Sequence, residues 1–170
     1  NDMAPFDLYA GKQVIESPVD QTQLTQNYAR EAGAFIRANA DRPFFLYYAE
    51  TFPHIPLFVP DTATGQSDAG FYGDVVEHLD WGIGEILAAL DEAGVSDNTL
   101  IIVTSDNGPW FEGDAGAFRD RKGGMHEGGY RVPFVVRWPE QIEAGKVTDT
   151  MTSAMDLLPT LAGLAGAPVP

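Results

Sequence analysis

The chain has 170 residues, 44% hydrophobic and 21% charged, which excludes wholesale disorder and fits one ordinary domain or part of a larger one. Lys and Arg number 10 against 25 Asp and Glu, and the formal charge of −15 repels phosphate backbones and anionic lipid heads, so nucleic acid and membrane surfaces are excluded as partners. There is no cysteine, which removes disulfides, thiolate metal sites and a cysteine nucleophile from this chain.

Residues 1–20 carry Pro5, Gly11 and Pro18 and are expected to be irregular. From Thr22 to about Ala40 the period turns helical, with Leu24, Tyr28, Ala32, Phe35 and Ile36 on one face and Asp20 or Thr22 as the cap. Pro43 stops that helix, and the apolar run Phe44 to Tyr48 reads as core, a strand buried on both faces. A proline-rich loop over 50–69 follows. A second helix is expected from Phe71 to Ala93, with Val75, Leu79, Ile83, Ile86, Leu87 and Leu90 as its apolar stripe and Gly94 at its C-terminal cap. His78 falls off that stripe and is expected in solvent.

Leu100 to Thr104 reads as a second buried strand, and 105–131 as a long irregular loop with seven glycines. Val132 to Trp138 reads as a third strand, and Asp156 to Ala165 as a short helix. Fully apolar strands alternating with amphipathic helices predict an α/β domain with a largely parallel sheet, in which ligands sit beyond the carboxyl ends of the strands. No apolar run approaches the roughly 20 residues of a membrane helix. The chain opens at Asn1 rather than Met and stops at Val169-Pro170, so it is expected to be a fragment of a longer protein.

The loops leaving the first two strands hold the residues with chemistry. Asp106-Asn107-Gly108 is a turn signal, and it also offers two hard oxygens suited to Ca²⁺ or Mg²⁺, short of the roughly six that calcium needs. His54, between Pro53 and Pro56, is either a structural loop histidine or a stiffly held acid or anion ligand. Lys122 is either a solvated loop lysine or a point charge for an anionic ester oxygen, and Arg119 and Arg121 beside it concentrate positive charge in an acidic chain. The glycines follow this lysine, so it does not belong to a Walker loop. Glu127, ahead of two glycines, is expected to receive loop amides and fix the loop's shape.

Five segments in register resemble sulfatases of the arylsulfatase A type: Arg42 to Ala49 with Pro53-His54-Ile55-Pro56; Tyr72 to Asp80; Thr99 to Pro109; Lys122-Gly123 with Glu127 to Pro133; and Met155 to Gly166. The resemblance implies the alkaline-phosphatase-like α/β sandwich, with residues 1–170 as the later part of its catalytic domain. It implies that Asp106 and Asn107 are the second pair of calcium ligands. It implies that His54 contacts the sulfate and protonates the leaving oxygen, and that Lys122 binds sulfate near the leaving group. The nucleophile in this family is a hydrated formylglycine made in a Cys/Ser-x-Pro-x-Arg motif, attacking sulfur in line with the ester oxygen. That motif, the first aspartate pair and a Gly-Lys-x-His segment are not in this sequence and are expected upstream. Gly124, Met125 and His126 stand where the family commonly has two small hydroxylated residues and an aromatic, which assigns His126 to substrate binding in this chain.

The implied activity is sulfuric ester hydrolysis of a small-molecule or glycan sulfate, in the periplasm, outside the cell or in a lysosome. The alternatives are a phosphodiesterase or phosphonate hydrolase of the same superfamily, and a truncated piece without activity of its own.

Overall fold

The computed structural model describes residues 6–169. The first five residues of the stretch expected to be irregular, and Pro170, lie outside it. Two compact units divide the chain, one ending at Asp97 and the other starting at Asn98. Among the described residues no helix is long and apolar enough to cross a membrane.

The first unit opens with a hairpin, β1 (Leu8–Ala10) and β2 (Gln13–Glu16), paired antiparallel with Tyr9 opposite Val14 and Ala10 opposite Gln13. This corrects the irregular reading of residues 8–16. The signal was a two-residue Gly11-Lys12 loop with Gly11 at φ 62°, a left-handed geometry that glycine takes without penalty. Asp20 then accepts the Thr22 amide at 3.0 Å and starts a single 3₁₀ turn that leads into α1 (Leu24–Asn39).

Helix α2 (Gly70–Glu92) packs along α1. Gly82 allows the close crossing, since a methyl there would stand 3.0 Å from the Thr25 Cγ2. Leu24, Ile36, Val75 and Leu90 are fully enclosed, each contributing roughly 1.5–3 kcal/mol of burial free energy. Val19, Phe52 and Val59 join Leu24 and Val75 in one cluster, which anchors the loop that carries His54. Gly94 ends α2 with φ 69°, as expected of a cap.

The run Phe44–Tyr48 is not a strand. No ladder partner exists for it among the described residues, and only alternate side chains pack: Phe44, Leu46 and Tyr48 are half-buried, whereas Phe45 and Tyr47 are 71% and 80% exposed. Its inner face meets a polar knot in which Glu50 accepts from Thr25 Oγ1 at 3.1 Å and from the Tyr48 hydroxyl at 2.8 Å. Burial and the neighbouring Glu50 carboxylate push the Tyr48 hydroxyl well above its ordinary range.

His78 also departs from expectation. It is half-buried, stacks on Trp81 with ring centroids 4.9 Å apart, and has its Nε2 enclosed without a hydrogen-bond partner among the described residues. Burial lowers its pKa, partly opposed by Glu50.

Asp74, one turn into α2, is a buried carboxylate that closes the preceding loop. Its oxygens accept the amides of Gly65 at 2.8 Å, Gln66 at 2.9 Å and Ser67 at 2.8 Å. The Ser67 and Gly65 amides hold its carboxyl below the ordinary 3.8. A carboxyl depressed by folding stabilises above its unfolded pKa and loses that contribution as pH falls through its folded one. Asp74→Ala is therefore expected to lower Tm by several degrees at neutral pH, with the gap to wild type closing below the ordinary carboxylate range. A thermal melt series from pH 7 to pH 2.5 checks this; a gap independent of pH rejects it.

The second unit holds β3 (Ile101–Thr104) and β4 (Phe134–Arg137), a four-residue helix α3 (Glu127–Tyr130) and α4 (Leu157–Leu164) behind a Ser153 capping box. The expected parallel pairing is not seen: Ile101 faces Arg137 and Thr104 faces Phe134, an antiparallel register. Both strand pairs among the described residues are antiparallel. A parallel pair needs a crossover back along the sheet. The 105–133 loop instead folds back at its own base, where the Gly108 amide donates to the Gly129 carbonyl at 2.9 Å, and β4 starts beside the end of β3.

Candidate active site

Four of the five residues singled out by chemistry lie on the loop between β3 and β4. Asp106, exposed, and Asn107, half-buried, follow β3 directly. Ser105 Oγ donates to the Asn107 carbonyl at 3.1 Å, which shapes the turn and leaves both side chains to other tasks. Two residues on, the Pro109 carbonyl accepts the Lys122 amide at 2.9 Å. One backbone bond thus ties the lysine's backbone to the segment two residues past Asn107.

Lys122 is half-buried, and no carboxylate among the described residues lies within 4.0 Å of its ammonium. It lines an open cleft of about 430 Å³ with Phe111, Asp114, Phe118, Asp120 and Arg121. The expected concentration of charge is reduced by structural use. Arg121 Nη1 donates to the carbonyls of Trp110, at 3.1 Å, and of Gly113, and its guanidinium sits 5.7 Å from the Phe111 ring centroid. Arg131 pairs with Glu127 at 3.2 Å and lies over Phe118 at 4.7 Å. Among the described residues Glu127 makes that ion pair and receives no loop amide, so its expected role is corrected; it opens α3 instead.

His126 is exposed and its Nδ1 is bonded to Asp120 Oδ2. That bond is the leading reason the Asp120 carboxyl lies below its ordinary range. Asp120 holds a left-handed φ of 68°, so the pair pins the turn immediately ahead of Lys122.

The loop's shape rests on a feature that sequence reasoning missed, the mutual approach of Gly108, Gly128 and Gly129. A methyl on Gly108 would overlap the Gly128 carbonyl oxygen, and one on Gly128 would overlap the Asp120 carbonyl and stand 2.7 Å from that of Arg119. One on Gly129 would stand 2.9 Å from the Arg121 carbonyl. Backbone pressed against backbone has no side chain to move aside, so only glycine fits. The Gly128 amide donates to Arg119 O at 2.8 Å in the same contact.

His54 belongs to the first unit. It is exposed, and its Nδ1 is 2.7 Å from the Ile55 carbonyl oxygen. A carbonyl only accepts, so Nδ1 carries the hydrogen and Nε2 is left for a ligand or a transferable proton.

For calcium the donor chemistry fits and the number does not. Asp106 and Asn107 are hard oxygen ligands, but no group of three or more carboxylates or imidazoles able to hold a metal occurs among the described residues.

The sulfatase family model matches residues 4–167. Steryl-sulfatase of Mus musculus is 44% identical over 167 residues, covering 92% of this chain and 27% of that protein. Arylsulfatase A of Homo sapiens is 44% identical over 135 residues, covering 76% of this chain and 26% of that protein. Among solved structures, Ps i-CgsB in complex with k-i-k-neocarrahexaose superposes with a TM-score of 0.84 at 36% identity, over 94% of this chain and 37% of that one. The chain spans less than a third of the length of the steryl-sulfatases it matches. A putative sulfatase, yidJ of Bacteroides fragilis, superposes with a TM-score of 0.74 at 22% identity over 92% of this chain and 40% of that one, a likeness of fold. With its family match running almost end to end and its strand-end loops carrying the residues described above, this chain belongs to the sulfatase family.

Proposed function

We propose that the full-length protein hydrolyses sulfate monoesters outside the cytoplasm, and that these 170 residues are the later part of its catalytic domain. The observation that carries this is Lys122, a half-buried residue lining a cleft, with no carboxylate within 4.0 Å of its ammonium among the described residues, in a chain of net charge −15. An acidic protein that keeps an uncompensated cation there has a place for an anion. Membership of the sulfatase family supports sulfate as that anion. The parallel sheet of the parent fold is part of the same proposal, with Phe44–Tyr48, packed on one face, taking a place in it.

Lys122 Nζ binds a sulfate oxygen near the leaving group and offsets the charge that builds there. Asp106 and Asn107 supply two oxygens to a calcium ion whose other ligands come from elsewhere in the protein; when bound, the ion polarises a sulfate oxygen. The nucleophile is a formylglycine outside this sequence. His54, charged, donates its Nε2 proton to the ester oxygen as the S–O bond breaks, and Ile55 keeps the Nδ1 hydrogen in place throughout. His126, held by Asp120, sets the loop and flanks the substrate.

Alkoxides are worse leaving groups than phenolates and gain more from that proton. In the full-length protein, His54→Ala is expected to lower kcat/KM on alkyl sulfates roughly 10²-fold or more, and on 4-nitrophenyl sulfate much less. Equal losses on both remove the proton-donor role. Phosphate esters turned over better than sulfate esters by the wild type reject the substrate assignment itself.

A further inference from the structure

His54 is exposed, and among the described residues its ring makes one hydrogen bond, to the carbonyl of its own neighbour Ile55. That bond sets the tautomer and leaves the place of the imidazole to the backbone that leads into it. One side chain gathers that backbone. Glu50, half-buried, accepts from three segments at once. Its Oε1 takes the Thr51 amide and the Thr25 hydroxyl of α1, each at 3.1 Å, and its Oε2 takes the Tyr48 hydroxyl at 2.8 Å. Burial and the carboxylate keep the proton on Tyr48, so that hydroxyl stays a donor. The Thr51 hydroxyl adds a second tie to α1, donating to that of Tyr28 at 3.3 Å. Phe52 then enters the core cluster, 5% exposed, and two residues later comes His54.

The two anchors act differently. Apolar burial of Phe52 is non-directional, whereas hydrogen bonds from three segments fix an angle. A shift of about 1 Å at a reacting group costs about 10²-fold in rate, so the angle at which this loop leaves matters to a proton donor at its tip. No cation lies within 4.0 Å of Glu50 among the described residues, so hydrogen bonds and not an ion pair hold it. Resting on the proton-donor reading of His54, we infer that Glu50 is a positioning residue for His54: it fixes the exit of the loop so that Nε2 meets the ester oxygen.

The test uses the full-length protein with galactose 6-sulfate as the alkyl ester and 4-nitrophenyl sulfate as the aryl ester. Glu50→Ala is expected to lower kcat/KM at least about tenfold on the alkyl ester and less than about threefold on the aryl ester, because only proton transfer depends on where Nε2 stands. Inhibition by inorganic sulfate is expected to stay unchanged. Glu50→Gln keeps an oxygen for Thr51 and Thr25, lets the Tyr48 hydroxyl turn to accept from the amide nitrogen, and loses no ion pair, so it is expected to recover most of the alkyl activity. In a His54→Ala background, Glu50→Ala is expected to cost less than about twofold more on the alkyl ester, since a donor already absent cannot be misplaced. If Glu50→Ala does not fold, Tyr48→Phe removes one of the three donors and is expected to lower the alkyl-to-aryl ratio by about twofold or more. Equal losses on both esters, losses that multiply in the double variant, no recovery in Glu50→Gln, or an unaltered ratio in Tyr48→Phe overturn the inference. A His54→Ala protein that itself loses both activities equally overturns the reading on which the inference rests.

Discussion

Lys122→Ala in the full-length protein is expected to lower kcat/KM on an aryl sulfate roughly 10²- to 10³-fold, the range for removing one fixed charge or donor that meets developing charge in a transition state. The size of the effect follows from the surroundings of the ammonium. The residue is half-buried and no carboxylate lies within 4.0 Å of its ammonium among the described residues, so no adjacent counter-ion screens it. A cation left in that condition interacts strongly with an anion that arrives beside it. The same lack of a partner predicts that the alanine variant keeps its Tm, because no folded-state ion pair is lost. Lys122→Arg should recover part of the activity, since the charge returns with a different shape and reach. Steady-state kinetics with a parallel thermal melt decides the matter. A loss of less than about threefold with unchanged Tm makes Lys122 an ordinary solvated loop lysine, because a single surface charge contributes about that much.

Both long helices were legible in the sequence because burial of one face imposes the 3.6-residue period directly, and α1 and α2 fall within two residues of their expected ends. The placement of the candidates Asp106, Asn107 and Lys122 on the β3–β4 loop was legible for a different reason: a continuous apolar strand marks where a loop begins, and polar residues just beyond a strand end are the candidates for ligand binding in an α/β protein. Strand direction was not legible. Ile101-Ile102-Val103 satisfies any doubly covered strand, and the antiparallel register comes from a loop closed by a bond between Gly108 and Gly129, 21 positions apart. Phe44–Tyr48 has the composition of a strand, but composition supplies no ladder partner. His78 lies off the apolar stripe, and the sequence does not show that it stacks on Trp81 one turn later. The commitment of Arg121 to backbone carbonyls is equally invisible, since spacing says nothing about which acceptors a guanidinium reaches.

The glycine contact at the base of that loop predicts the largest combined loss of stability and function. In Gly128→Ala the new methyl meets two carbonyl oxygens, those of Asp120 and Arg119, and neither can retreat without breaking the 2.8 Å bond from the Gly128 amide to Arg119. Opening that contact frees the Arg119–Lys122 strand of the loop from the α3 end, and the Asp120–His126 bond spans the same gap. Overpacking against rigid backbone is expected to destabilise by roughly 1–3 kcal/mol. Activity should fall at least as far as in Lys122→Ala, because the displaced segment carries Lys122, whose amide is tied to the Pro109 carbonyl. Gly84→Ala is the matched control: it lies in α2 with nothing within 4 Å of the added methyl, and exchange of a helical glycine for alanine stabilises by up to roughly 1 kcal/mol. A Gly128→Ala protein with wild-type kcat/KM would show that the loop tolerates opening and that Lys122 does not depend on this contact for its place. A variant that keeps wild-type Tm but loses activity would locate the effect in the loop alone, because the α1–α2 core that supplies most of the first unit's burial is untouched by the substitution.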